Sequence, residues 1–237
     1  MPTVTQLPEK ARPSGEVEAA AAILRSAPGP RRAAGERLLL TVPILDRMRA
    51  VEGWLTDAEA DLLIASAAHT LASFSPSNGI VEVGSYCGRS TVVLASVIAV
   101  LAPLARVHAI DPHEGEVGAA DNGPERTDPT FARFRENIER TGVSPFVITV
   151  RQYSYDVKWN DPIGLLLIDG LHDYENCARD FTHFEPWLVD GAHVAFHDYG
   201  SWPGVTSFVD RLLKTQSYRL VERADSMIVL RRALESP

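Results

Sequence analysis

Residues 80–95 read IVEVGSYCGRSTVVLA, and this stretch decides the fold. Ile80 to Val83 suit a buried strand, Gly84 to Gly88 a tight turn, and Arg89 opens a helix. A strand, a glycine turn and a helix in direct succession form the first unit of an open α/β sheet. In such sheets the ligand lies beside this turn, at the carboxyl ends of the strands.

The same alternation recurs on either side. Upstream, Thr56-Asp57-Ala58-Glu59 is a capping box that starts a helix with Leu62, Leu63, Ala67 and Leu71 on one face. Downstream, the apolar runs 107–110, 146–150, 164–168 and 193–196 are predicted strands. Helical patterns at 131–141, 177–188 and 205–213 fall among them. Residues 218–221 and 227–230 read as a closing antiparallel pair, and the polar segment 114–129 as a loop. The expected fold class is α/β: a Rossmann-like, doubly wound, seven-stranded sheet. It is mostly parallel with an antiparallel C-terminal strand, and helices cover both faces. Residues 1–50, rich in Pro, Ala and charge, read as an N-terminal extension, partly helical at 16–26 or mobile. Residues 51–237 form the ligand-binding domain.

Charge narrows the partner. The chain carries 23 basic and 31 acidic residues, a formal net charge of −8. Eight basic and five acidic residues fall in the first 50, which leaves −11 on the rest. An acidic body argues against nucleic acid. No apolar run approaches the roughly 18 residues of a membrane span. Cys87 and Cys177, ninety residues apart, form no paired motif. The expectation is a soluble cytoplasmic protein, a homo-oligomer that acts on a small molecule and engages neither nucleic acid nor membrane.

The turn excludes one common ligand. A dinucleotide fingerprint needs G-x-G-x-x-G, so that bare backbone can approach a pyrophosphate. Counting from Gly84, the second and third glycine positions fall on Tyr86 and Arg89. Glycines four apart with polar side chains between them suit an amino acid head group joined to a nucleoside. Glu82 can face an ammonium or organise the turn's amides. Ser85, Tyr86 and Ser90 can bond a carboxylate together with the helix amides. Asp111, at the end of the next strand, can accept from ribose hydroxyls or cap the turn before Pro112.

Val-Glu-Val-Gly-Ser-Tyr-Cys-Gly-Arg-Ser resembles the cofactor turn of class I S-adenosylmethionine-dependent O-methyltransferases, and the catechol-type enzymes in particular. The resemblance covers roughly residues 53–231. It implies S-adenosylmethionine as cofactor, with Glu82, Gly84, Ser85, Tyr86, Gly88, Ser90 and Asp111 around it. Ser154 would lie near the adenine, His113 would cover the ribose or adenine face, and Asp169 would reach the cofactor from the opposite strand.

A second constellation stands at the far strands: Asp169-Gly170-Leu171-His172 and His197-Asp198, 28 and 29 residues apart from Asp169. Two carboxylates with open positions suit Mg²⁺. Here the chain resembles macrolide-sugar and aminocoumarin-sugar O-methyltransferases, which carry Asp-Gly-x-His followed by an acidic pair. It departs from them in placing His197 where the first acid of that pair stands. The expected metal ligands are Asp169, His197 and Asp198, an imidazole tilting the site toward Mn²⁺ or another transition metal. His197 can equally be a donor to a carboxylate. His172 is the expected catalytic base. Trp202 and Tyr199 are expected to wall the substrate pocket, the 114–129 loop to close over it, and Trp54 to join the core. His69, His108, His183 and His193 read as structural.

The expected function is divalent-metal-dependent methyl transfer to a hydroxyl of a small metabolite, a sugar or aromatic diol in natural-product tailoring. The alternative is an S-adenosylmethionine- and metal-binding partner subunit of a hydroxylation–methylation system, as in cephalosporin modification.

Overall fold

The apolar runs become a seven-stranded sheet in the computed structural model, which describes residues 39–75 and 79–233. The expected helix at 16–26, and most of the extension, lie outside the described residues. In chain order the larger strands are β1 (Gly79–Val83), β2 (Val107–Ile110), β5 (Val147–Val150), β6 (Ile163–Ile168), β7 (Leu188–Phe196), β8 (Tyr218–Ala224) and β9 (Met227–Arg232). The segment read as a loop contains a small hairpin, β3 (Glu116–Val117) with β4 (Glu125–Arg126). The sheet order is β5-β2-β1-β6-β7-β9-β8, with β9 antiparallel to both β7 and β8. The chain winds outward in both directions from β1 and β6, so the switch point lies between them.

Among the described residues, six helices flank the sheet: α1 (Val42–Arg49), α2 (Asp57–Ser73), α3 (Arg89–Leu101), α4 (Phe131–Arg140), α5 (Tyr174–Phe184) and α6 (Pro203–Lys214). Helices α1 to α4 bury Met48, Leu63, Val93 and Phe134 with Ile80, Leu165 and Val229 on one face. Helices α5 and α6 bury Phe181 and Phe208 with Val81, Leu166 and Phe196 on the other. Successive residues of one strand point to opposite faces, and both faces are covered. All six residues of β6 are therefore buried, and its sequence reads as continuous apolar rather than alternating.

Helix ends follow local chemistry. Thr56 accepts from Glu59 N, and Glu59 accepts from Thr56 N at 2.8 Å, completing the capping box of α2. Helix α5 begins three residues earlier than its apolar pattern, because the Asp173 side chain caps it by accepting from Asn176 N. Pro186 follows at its end, in the short 3₁₀ turn Glu185–Trp187. Helix α1 packs Ile44, Leu45 and Met48 into the core, so this part of the N-terminal stretch joins the folded domain. Among the described residues, no helix is long and apolar enough to cross a membrane.

Pairing sets the functional edge. Val83 lies level with Ile110 and Ile168, and Ile168 with Phe196. The next residue on each strand is Gly84, Asp111, Asp169 or His197. Four sequence-distant positions thus stand side by side.

Met48→Ala tests whether α1 belongs to the core. The loss expected for a fully buried methionine is roughly 2–5 kcal/mol of unfolding free energy in a urea titration. An unchanged midpoint would place α1 outside the cooperative unit.

Candidate active site

A cavity of about 480 Å³ opens at this edge, within the size range of small-molecule sites. Its floor is the turn after β1. Gly84 has φ +86°, and a Cβ there would collide with the Asp169 carbonyl and lie 2.8 Å from Gly170 N. Gly88 has φ +92° and precedes α3 with no side-chain cap, leaving the helix amides to other partners. Tyr86 also has positive φ, an uncommon state for a side-chain-bearing residue. Its amide bonds Asp111 at 2.8 Å and its hydroxyl bonds Glu52 at 3.1 Å.

The Asp111 carboxylate is the organiser of this turn. One oxygen accepts from the amides of Ser85 and Tyr86, the other from His113 N at 2.6 Å. A carboxylate has about four acceptor sites, so roughly one is left for a ligand hydroxyl. Ser85 Oγ is buried on the cavity wall with no hydrogen-bond partner among the described residues. That orphaned hydroxyl and the uncapped helix amides fit a ligand carboxylate.

Glu82 organises the turn and does not line the cavity. Fully buried, it accepts from Ser90 Oγ and Thr91 Oγ1, both at 2.5 Å, and thereby fixes the start of α3. Burial pushes its carboxyl up to about 8. The hydroxyls of Ser90 and Thr91 oppose the rise, and the charges of Asp169 and Asp111 add to it. His113 also sits beneath the wall. Its Nδ1 meets Thr130 Oγ1 at 2.8 Å and its ring packs on Phe131 and Phe134. Ser154 does line the cavity, donating to Asp180 on α5. Burial raises the Asp180 carboxyl to about 6.

The far strands bring four carboxylates and imidazoles to one point. Donor atoms of Asp169, His172 and Asp198 lie within 4.8 Å of one another, a set able to hold a metal ion. His172 Nε2 is 3.0 Å from Asp198 Oδ2, while its Nδ1 is buried and has no hydrogen-bond partner among the described residues. His197 Nδ1 lies 2.9 Å from Asp198 and 3.2 Å from Asp169, and its Nε2 lies 3.2 Å from Glu59. Burial alone would lower the His197 pKa. The charge and hydrogen bonds of Asp169, with those of Asp198 and Glu59, outweigh it and hold the ring well above the ordinary histidine range. A protonated His197 donates to the carboxylates, and could ligate a metal only by giving up that proton.

Glu59 was legible only as a capping residue. It is a buried carboxylate that also accepts from Ser226 N and Oγ, and it is held down to about 2 against burial by His197, Ser226 and Thr56. Nothing in the spacing of the α2 pattern connects it to a residue 138 positions away.

The β3–β4 hairpin, with Gly118 among its wall residues, roofs the cavity. Gly118 O accepts from His172 N at 2.8 Å, and Ala120 N donates to Asp173 at 3.0 Å. Trp202 packs on His172 at 4.9 Å between ring centroids. Tyr199 does not reach the cavity; its hydroxyl bonds Asp210. Trp54 is not in the core. It is 66% exposed at the cavity mouth, tilted against Tyr86. The remaining histidines are packed elsewhere: His193 stacks on His69, His108 meets Trp159, and His183 meets Val157 O.

A family model described as a methyltransferase domain matches residues 81–199, half of the chain, and the chain belongs to this methyltransferase family. The O-methyltransferase NovP shares the fold with a TM-score of 0.65, at 15% identity, over 76% of this chain and 83% of that one. CalS11, a TDP-rhamnose 3′-O-methyltransferase of calicheamicin biosynthesis, has a TM-score of 0.57 at 17% identity, covering 93% and 96% of the two chains. TomG of Streptomyces achromogenes, solved with S-adenosylmethionine, gives 0.55 at 14% identity over 91% and 96%. The sheet is that of the class I S-adenosylmethionine-dependent methyltransferases.

Two outcomes follow from the turn. Gly84→Ala is expected to abolish the thermal stabilisation given by S-adenosylhomocysteine, because strand ends β1 and β6 must part to admit the Cβ. Glu82 gives a pH signature. Its native carboxyl keeps its proton to about 8, against 4.5 for an ordinary glutamate. Its contribution is therefore full below the ordinary value and lost as pH rises through about 8. Glu82→Gln is expected to flatten that decline by on the order of a few kcal/mol, read from urea titrations across the window.

Proposed function

We propose that this protein transfers a methyl group from S-adenosylmethionine to a hydroxyl of a small, hydroxylated metabolite with the help of a divalent metal. The observation that carries the reading is the convergence of Asp169, His172 and Asp198 on one point beside the Gly84 turn. Sugars and aromatic diols of natural-product tailoring are the acceptors in view, as the named roles of CalS11 in calicheamicin and TomG in tomaymycin synthesis illustrate.

In this reading Ser85 and the first amides of α3 take the carboxylate of the cofactor's amino acid. Asp111 takes one ribose hydroxyl with its remaining acceptor site, and Ser154 with Asp180 faces the adenine. Gly84 lets that cofactor lie against the β1 and β6 ends. Asp169 and Asp198 hold the ion, Mg²⁺ or Mn²⁺, while His197 fixes both carboxylates from behind. The sulfonium cofactor would supply an electrophilic methyl group, and a divalent ion would lower the pKa of a neighbouring hydroxyl and anchor its oxygen.

His172 removes the proton. Its Nε2 stands at the strand-end cluster, 3.0 Å from Asp198 Oδ2, and is the nitrogen placed to take the proton, whereas Nδ1 is buried. A positioned base of this kind contributes about 10²–10⁴-fold. Trp202 holds the imidazole plane, and the hairpin amide contacts at Gly118 and Ala120 keep water from the reacting oxygen.

His172→Gln is expected to lower kcat by about 10²–10⁴-fold while keeping the metal-induced thermal shift. Loss of that shift would make His172 a ligand in place of a base. Asp198→Asn is expected to abolish both. Turnover that persists undiminished in metal-stripped protein with chelator would remove the ion from the reaction.

A further inference from the structure

The charge on the cavity wall separates one acceptor class from another. Beyond the carboxylates at the strand ends, the wall carries Glu52, Glu114, Glu116 and Glu125. Glu52 and Glu116 are paired, with Arg133 and Arg126, each at 2.7 Å. Glu114 accepts only a neutral partner's hydrogen bond, from the Tyr153 hydroxyl at 2.9 Å. Glu125 is exposed on the hairpin.

Cations are few and committed. Among the described residues that line the cavity there is no lysine, and there are two arginines. Arg89 donates to the carbonyls of Val51 at 2.7 Å and Leu55 at 2.9 Å. Arg179 lies 4.0 Å over the Tyr155 ring and donates to Asn176, on the helix that also carries Asp180. Arg89 thus presents no free fork, the geometry by which proteins clamp phosphate and carboxylate, and Arg179 stands over Tyr155 next to the Ser154–Asp180 pair that the reading above gives to the cofactor. The acceptor side offers indoles instead: exposed Trp54 beside Tyr86, and Trp202 beside His172. Aromatic faces ringed by carboxylates bind neutral rings and ammonium groups.

Resting on the methyl-transfer reading above, we infer that the acceptor is a hydroxylated ring that is uncharged or bears an amine, and carries no phosphate, nucleoside diphosphate or carboxylate. If the acceptor is a sugar, it has already left its nucleotide. Glycosyl transfer then supplies the substrate and methylation follows it, the reverse of the order implied for an enzyme that methylates TDP-rhamnose.

Two matched series test this with the full-length protein and Mg²⁺ or Mn²⁺. One is dopamine, 4-methylcatechol and 3,4-dihydroxybenzoate. The other is methyl rhamnoside and TDP-rhamnose. Methyl transfer is followed with labelled cofactor, and binding of the same compounds is measured by calorimetry on protein loaded with S-adenosylhomocysteine. The anionic members are expected to bind at least about tenfold more weakly than their neutral or amine counterparts, a difference of about 1.4 kcal/mol. The double variant Glu114→Lys/Glu125→Lys is expected to close that gap while retaining the cofactor thermal shift. Equal or better binding and methylation of TDP-rhamnose or dihydroxybenzoate overturns the charge inference alone and leaves methyl transfer standing. An order unchanged in the double variant overturns it too. Methylation of no compound in either series, with cofactor and metal bound, overturns the reading beneath it.

Discussion

The close approach of Gly84 to the backbone of Asp169 is the constraint on which the rest depends. Two parallel strands end level, and the chain must turn away from one of them without a side chain in the gap. Only glycine allows both the left-handed φ and the contact with the Asp169 carbonyl. With β1 and β6 drawn together there, the cofactor turn and the first acid of the far cluster become neighbours. A donor's methyl group and an acceptor's oxygen must meet within a few ångströms, and this contact sets the separation of the two halves that hold them.

Buried carboxylates then stiffen each half. Glu82 secures the start of α3, the part-buried Asp111 draws in two amides of the turn and the amide of His113, and Glu59 ties α2 to the β8–β9 turn and to His197. Burying an ionisable group costs heavily unless its partners satisfy it. Each of these three meets its partners differently. Asp111 is satisfied by backbone amides and Glu59 by an imidazole and a hydroxyl. Glu82 is held by the hydroxyls of Ser90 and Thr91, but full burial, with a smaller push from the charges of Asp169 and Asp111, favours its protonated form. Glu82 and Glu59 thus shape the site without lining the cavity, while Asp111 both orders the turn and faces the cavity.

The fold was legible because its strands are short, apolar and punctuated by residues that cannot continue them. Each predicted strand lies within an observed one or at most a residue beyond it, because a buried parallel sheet leaves an unbroken apolar run. The strand-end residues were legible for the same reason: where each run stops, the chain reaches the functional edge. Side-chain direction was not. His113 follows Asp111 by two residues, yet a positive φ turns it under the wall to Thr130. Trp54 reads as core by its bulk, but the turn before α2 leaves it at the mouth. Glu59 escaped because its partner, His197, comes from a remote segment, and periodicity records only the face of a residue's own helix; Asp180, read as orienting the metal site or the helix start, instead accepts from Ser154.

His197 shows how a departure from a sequence pattern is absorbed. Where the resembling sugar O-methyltransferases carry an acid, this chain has an imidazole, which would strip one negative charge from the cluster and add a positive one. Glu59 offsets one of those two units from a different helix. The imidazole is fixed at both nitrogens, so its ring has one orientation, and the two carboxylates that face the cavity are held by it. An acid at position 197 would need neither Glu59 nor the Ser226 bonds that hold it. In this chain the cluster and the capping box of α2 are therefore one structure, and a substitution in either is felt by both.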